Sequence, residues 1–114
     1  MDFCQKSTHI EVVEHLEVLQ EEEMEKVCNL FRLLAEQSRL KIVLSLMGGE
    51  LCVYHILQAV GGTQSGVSHQ LRVLKDNGIV KARREGQSIL YSIADEHILQ
   101  IVATAKTHLH CEGK

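Results

Sequence analysis

Two glycine pairs in a chain without proline set the frame. Gly48-Gly49 and Gly61-Gly62 interrupt stretches that otherwise carry apolar residues at helical spacing, and no proline breaks a helix from within. Leu51 to Val60, between the pairs, reads as one short helix with Val53, Ile56, Leu57 and Val60 facing inward. Thr63 is a good N-cap for the next helix, which runs to the C-terminal signal Asn77-Gly78. Before the first pair, Ser38 serves as N-cap of a helix with Leu40, Val43, Leu44 and Met47 on its apolar side. Farther upstream the helical period recurs in Ile10, Val13 and Leu16, then in Met24, Val27, Leu30, Phe31 and Leu34. Glu21-Glu22-Glu23 interrupts that stripe and marks a bend or an exposed turn.

After Gly78 the period changes. Ile79 to Arg84 and Ser88 to Ile93 are short β-prone runs, and Glu85-Gly86-Gln87 between them reads as a hairpin turn. Asp95 then caps a last helix with the stripe Ile98, Ile101, Val102, Ala105 and Leu109. Two short helices joined by a glycine turn and followed by a hairpin make a winged helix-turn-helix, so the expected fold is mainly α with a small β-hairpin.

The chain has 114 residues, 45% hydrophobic and 24% charged, which suits one domain or one domain with a short arm and is too apolar for disorder. No apolar run approaches the roughly 20 residues of a membrane span. The first residues lack a basic segment followed by an apolar one, so the expected location is the cytoplasm. Cys4, Cys28, Cys52 and Cys111 form no CxxC pair, and in a reducing compartment they read as thiols or metal ligands. Cys28 is expected to pack in the core as a small apolar group.

The net charge of -3 argues against a nucleic-acid partner, but its distribution does not. Residues 1–36 carry nine acids against three Lys/Arg, a net of -6. Residues 64–92 carry Arg72, Lys75, Lys81, Arg83 and Arg84 against Asp76 and Glu85, a net of +3. A basic segment on an acidic protein still makes a local footprint for phosphates. In the helix after Thr63, Val67, Leu71 and Leu74 fall at i, i+4 and i+7 and face the core. Gln64, Ser65, Ser68, His69, Arg72 and Lys75 take the other side, with side chains that reach base edges and phosphates. An ordinary amphipathic surface helix has the same pattern. The hairpin that follows, with Arg83 and Arg84, favours double-stranded DNA, because a wing places such cations beside the backbone or in the minor groove.

The segments Glu50-Leu51-Cys52-Val53, Ser65-Gly66-Val67-Ser68-His69-Gln70-Leu71-Arg72-Val73-Leu74 and Arg83-Arg84-Glu85-Gly86 closely resemble the ArsR/SmtB family of bacterial metal-responsive repressors over roughly residues 28–111. Leu34 to Leu40 is similar to the family's entry to its second helix, without the proline often found there. The resemblance implies a homodimer, paired through its first and last helices, that represses operators near metal-efflux or metal-storage genes. It suggests an N-terminal arm or helix in residues 1–20 and the winged domain, with its dimerising helices, in residues 21–114.

The last helix carries donors at both ends. His97 and His108 are 11 residues apart, about 20° modulo a turn, and so share a face, but they stand about 16 Å apart along the axis. One Zn(II), with bonds of about 2.0–2.3 Å, cannot span that. Two copies packed antiparallel can: Asp95 and His97 of one would meet the His108–Cys111 pair of the other, giving two equivalent sites per dimer. Asp95 is off that face by helical angle, yet its place at the cap leaves the backbone free to turn it inward. The same spacing matches the family's last-helix metal site, where the fourth ligand is often His or Glu; here it is Cys111, with His110 on the opposite face. A carboxylate, two imidazoles and a thiolate suit tetrahedral Zn(II), and the soft thiolate admits Cd(II) or Co(II). A solvated, His-rich C-terminus is the bland alternative.

A second candidate metal cluster is Cys52 with His55, i and i+3 on a short helix. Relatives with a site there complete it from the N-terminal arm of the other subunit, a role open to Cys4 and His9. This chain has Tyr54 where soft-metal relatives often have a second cysteine. The expected mechanism is metal-released repression: the apo dimer binds its operator, and Zn(II) at the last-helix sites releases it. The rivals are a thiol-based redox sensor using Cys52 with Cys4 or Cys111, and a small zinc hydrolase. The hydrolase is disfavoured because four protein ligands leave no open position.

Overall fold

The computed structural model describes residues 19–112. The chain divides into two compact units, with the boundary between Arg32 and Leu33. In the first, helix α1 (Glu21–Ala35, continuing past the boundary) starts at the three glutamates, which form its first turn instead of a bend. Carboxylates are favourable there because they face the positive end of the helix dipole. Glu23 also reaches back, its Oε1 accepting from the backbone N–H of Gln20 at 3.0 Å, which is half of a capping box. Cys28 is exposed on α1, contrary to the expectation that it packs in a core.

The second unit holds the remaining elements: α2 (Gln37–Ser45), β1 (Leu51–Cys52), α3 (Val53–Val60), α4 (Gln64–Asp76), β2 (Val80–Glu85), β3 (Ser88–Ile93) and α5 (Glu96–Glu112). The N-cap of α2 is Glu36, not Ser38. Its carboxylate accepts from the backbone N–H of Arg39 at 3.1 Å, and the Ser38 hydroxyl donates to the same oxygen. The serine thus supports a longer cap from inside the first turn. The buried face of α2 is Ile42, Val43 and Leu46, while Leu44 and Met47 are exposed. The expected stripe was therefore rotated, because Ile42 and Leu46 fit the same period from a different starting point.

Leu51 and Cys52 are not helical. They pair antiparallel with β3, Leu51 opposite Tyr91 and Cys52 opposite Leu90, and make a three-stranded sheet in the order β1-β3-β2. Two residues are too few for a periodic signal; what makes them a strand is the edge of β3, whose backbone groups need partners. β2 and β3 pair from Val80–Ile93 to Glu85–Ser88, leaving Gly86-Gln87 as a two-residue loop. Gly86 has φ 63 and no described non-glycine residue has a positive φ, the sign pattern of a type II′ turn.

The turn between α3 and α4 needs both of its glycines: Gly61 has φ 81 and Gly62 has φ 93, conformations that side chains strongly disfavour. Thr63 then caps α4, its Oγ1 accepting from the N–H of Gly66 at 3.0 Å. Ile42 and Val43 from α2, Ile56 from α3, Leu71 and Leu74 from α4, and Ile79 just before β2 are fully buried. Ile98, near the start of α5, is buried where that helix packs on β3. Farther along, Ile101 and Val102 are half-buried, and Leu109 is 69% exposed.

This packing separates the two faces of α4, which gives a direct test. Leu71→Ala is expected to lower unfolding free energy by about 2–5 kcal/mol. Ser68→Ala, three residues earlier on the outer face, should stay within about 0.5 kcal/mol. Urea denaturation of both variants measures the contrast, and equal losses would contradict the assigned faces.

Candidate functional site

The helix-turn-helix is α3, the Gly61-Gly62 turn and α4. On α4, Val67, Leu71 and Leu74 are buried, and Gln64, Ser65, Ser68, His69, Arg72 and Lys75 are all exposed. The outer face therefore holds two cations, an imidazole, two hydroxyls and an amide, all of them groups that donate hydrogen bonds to phosphates or base edges. Gln70 is not part of that face. Its Oε1 accepts from Nε of Arg39 on α2 at 2.9 Å, and the pair is partly buried. The bond ties α4 to α2. Nothing in the sequence signals it, since the two residues are 31 positions apart and become neighbours through packing alone.

The wing brings in another residue that sequence reasoning did not assign. Arg83 donates from Nε to Oε2 of Glu50 at 2.7 Å and from Nη2 to Oε1 at 2.8 Å. Glu85 adds a longer contact to Nη2 at 3.6 Å. Glu50 immediately precedes β1, so the third strand brings the two charges together. The guanidinium beside it holds the Glu50 carboxyl below the usual glutamate range, and the carboxylate raises Arg83. Arg84, next on β2, is exposed.

The candidate donors at the two ends of α5 are joined by one helix. The helix is continuous from Glu96 to Glu112, so the axial separation of about 16 Å between His97 and His108 holds. Asp95 caps it, with Oδ1 accepting from the backbone N–H of His97 at 2.8 Å and of Ile98 at 3.3 Å. The same oxygen lies 3.3 Å from Nδ1 of His97, so these two donors stand together at one end, both exposed. His108 and His110 are exposed at the other end. Cys111 has its backbone in the last turn of α5, but its side chain lies outside the described residues, as do Cys4 and His9.

Cys52 is the N-cap of α3 and makes no side-chain bond to the backbone there. Its Sγ instead lies 3.2 Å from Nδ1 of His55, one turn into the helix. Among the described residues of one chain, no three His, Cys, Asp or Glu side chains converge as a metal site. Asp95–His97 and Cys52–His55 are two pairs, each with donors that fit Zn(II) or Cd(II) and each needing further ligands. No helix of the described residues is long and apolar enough to cross a membrane.

A glycine-jointed helix pair, with a polar outer face on its second member and a wing beside it, defines a winged helix-turn-helix DNA-binding domain. The sequence profile for "bacterial regulatory protein, arsR family" matches residues 36–82, from the N-cap of α2 into β2. The transcriptional repressor SmtB homolog of Synechocystis sp. is 36% identical over 112 residues, covering 96% of this chain and 85% of that one. The cadmium resistance transcriptional regulatory protein CadC homolog of Staphylococcus aureus is 43% identical over 84 residues, covering 72% and 69%. Among solved structures, the homodimeric winged helix-turn-helix DNA-binding domain of Mb0332 from Mycobacterium bovis superposes with a TM-score of 0.73 at 33% identity, covering 80% of this chain and 86% of that one. The chain belongs to the ArsR family. It is a DNA-binding transcriptional repressor of the ArsR/SmtB type and not an enzyme.

The Glu50–Arg83 pair has a measurable signature. A carboxyl whose folded pKa is lowered contributes stability above its unfolded pKa, and that contribution is lost as pH falls through the lowered folded value. By NMR titration of side-chain carboxyls, Glu50 should titrate below the ordinary glutamate range, and Arg83→Gln should return it toward that range. An unchanged Glu50 titration in the variant would contradict the pair.

Proposed function

We propose that the protein is a metal-released repressor: its apo homodimer binds operator DNA, and Zn(II), with Cd(II) or Co(II) as alternatives, lowers that affinity from sites between subunits. The observation that carries this reading is α5, one unbroken helix with Asp95 and His97 together at its start and His108 and Cys111 near its end. The ligand set would be Asp95 and His97 with His108 and Cys111 of the partner subunit. Two such sites follow from twofold symmetry. The homodimeric neighbour and the relative named for cadmium resistance support both halves of the proposal. So do the half-buried Ile101 and Val102 and the exposed Leu109, an apolar stripe on α5 that is only partly covered among the described residues.

On the DNA side, Gln64, Ser65, Ser68, His69, Arg72 and Lys75 would face the major groove, with Arg83 and Arg84 on the wing beside the backbone. The protein would act in the cytoplasm, where its DNA is. Coordination between subunits favours a dimer geometry in which the two α4 helices no longer match successive grooves, with a coupling of about 1–3 kcal/mol. By linkage, operator DNA must weaken metal binding by the same factor. Protons and metal compete for the same imidazole nitrogens, so metal affinity should fall as the pH is lowered.

The proximity of the Cys52 thiol to His55 supports a second reading, with Cys4 and His9 of the arm as further ligands or with thiol oxidation as the signal. Metal stoichiometry per dimer separates the sites. The parent should bind two equivalents that are lost in His97→Ala and kept in Cys52→Ala. Loss in both variants would bring the arm site into sensing. Operator affinity should drop on adding Zn(II) and recover with chelator; equal affinity in both conditions would refute metal sensing. A change with peroxide in metal-free protein would favour the thiol reading.

A further inference from the structure

Glu50 lies one residue before β1, and its carboxylate reaches Arg83 on the far strand of the sheet. The ladder brings them into range: Cys52 is opposite Leu90, and Leu90 is opposite Arg83. Both carboxylate oxygens are used, against Nε and Nη2 of the guanidinium. This is the fork geometry by which an arginine also grips a phosphate. Strand alternation places Lys81, Arg83 and Glu85 on one face of β2 and Arg84 on the other. The charge of Lys81 acts on Glu50 as well. Two acids and two bases thus share one face of a wing that otherwise reads as basic.

Such a pair does little for stability. The side chains are 53% and 35% exposed, and ion pairs in water contribute little. Its larger effect is on what Arg83 can offer an outside anion. We propose that Glu50 is an internal competitor of the DNA backbone, occupying the Arg83 fork in place of a phosphate and limiting the sequence-independent affinity of the wing. This rests on the reading that the wing lies along the DNA backbone. A phosphate contact strengthens binding to every sequence alike. An allosteric coupling of about 5–150-fold releases a repressor effectively only when its baseline affinity is not excessive. A carboxylate held against a wing cation keeps that baseline down without altering α4.

The test uses the full-length protein and a mixed-sequence 30-base-pair duplex, with binding followed by fluorescence anisotropy between 50 and 200 mM salt, values chosen to span about the range over which phosphate contacts dominate. Glu50→Gln should steepen the slope of log K against log salt by about 0.9 and tighten binding at 0.1 M salt roughly five- to tenfold, as one added phosphate contact requires. Arg83→Gln alone should leave the slope near the parent value, because Glu50 already occupies that fork. In the Arg83→Gln background, Glu50→Gln should have little effect. An unchanged or shallower slope in Glu50→Gln overturns the proposal. So does a full unit of slope lost in Arg83→Gln alone, which would mean that Arg83 already holds phosphate in the parent. Equal steepening with and without Arg83 would reduce the effect to net charge and overturn it too. Thermal midpoints near the parent value would show that the variants are folded. If the parent itself shows no salt-dependent binding, the wing reading fails as well, whereas normal parent binding with an unresponsive Glu50→Gln removes the competitor alone.

Discussion

The burial of one side of α4 governs what the rest of this domain can do. Leu71 and Leu74 are completely covered, in a core shared with Ile42, Val43, Ile56 and Ile79. With that side fixed, the opposite side points outward in a single orientation, and six polar residues become a surface of defined geometry. The glycine turn sets where the helix begins, the Thr63 cap sets its first turn, and Arg39 holds it through Gln70. None of these supports is large. Together they hold a helix of 13 residues that would be marginal in isolation.

Much of this was readable from the residues. The α4 boundaries, its inward triad, the hairpin with its turn at Gly86, and the cap at Asp95 all follow local rules: period, capping chemistry and turn preference. The departures from these rules have separate physical causes. Leu51-Cys52 is a strand because β3 offers an edge, and Glu36 replaces Ser38 as the cap because the helix starts earlier, at Gln37, where the Glu36 carboxylate reaches the N–H of Arg39. Residue type alone predicts a core position for Cys28, but it does not say which side of a helix is covered. Arg39–Gln70 and Glu50–Arg83 join residues more than thirty positions apart, and no local pattern contains them.

The charge distribution also looks different in three dimensions. By sequence, residues 64–92 form a basic block. In the fold, Glu50 enters that block from outside it, so the electrostatic unit is defined by sheet topology and not by position along the chain. A count of charges along residues 64–92 omits the Glu50 carboxylate that is paired with Arg83. The cations of α4, Arg72 and Lys75, lie on its exposed face, apart from this ion pair.

On the proposed reading of α5 as the metal-binding helix, its unbroken course would also limit how such a sensor can diversify. A helix advances by a fixed angle and rise for each residue, so inserting one residue between its two donor ends would swing one end by about 100° relative to the other and break the shared alignment. Replacing a donor in place leaves that alignment intact. A lineage that bound metal on this rod would therefore be free to change the identity of its ligands, and with it the preferred ion, while the interval between them stayed locked by helical pitch.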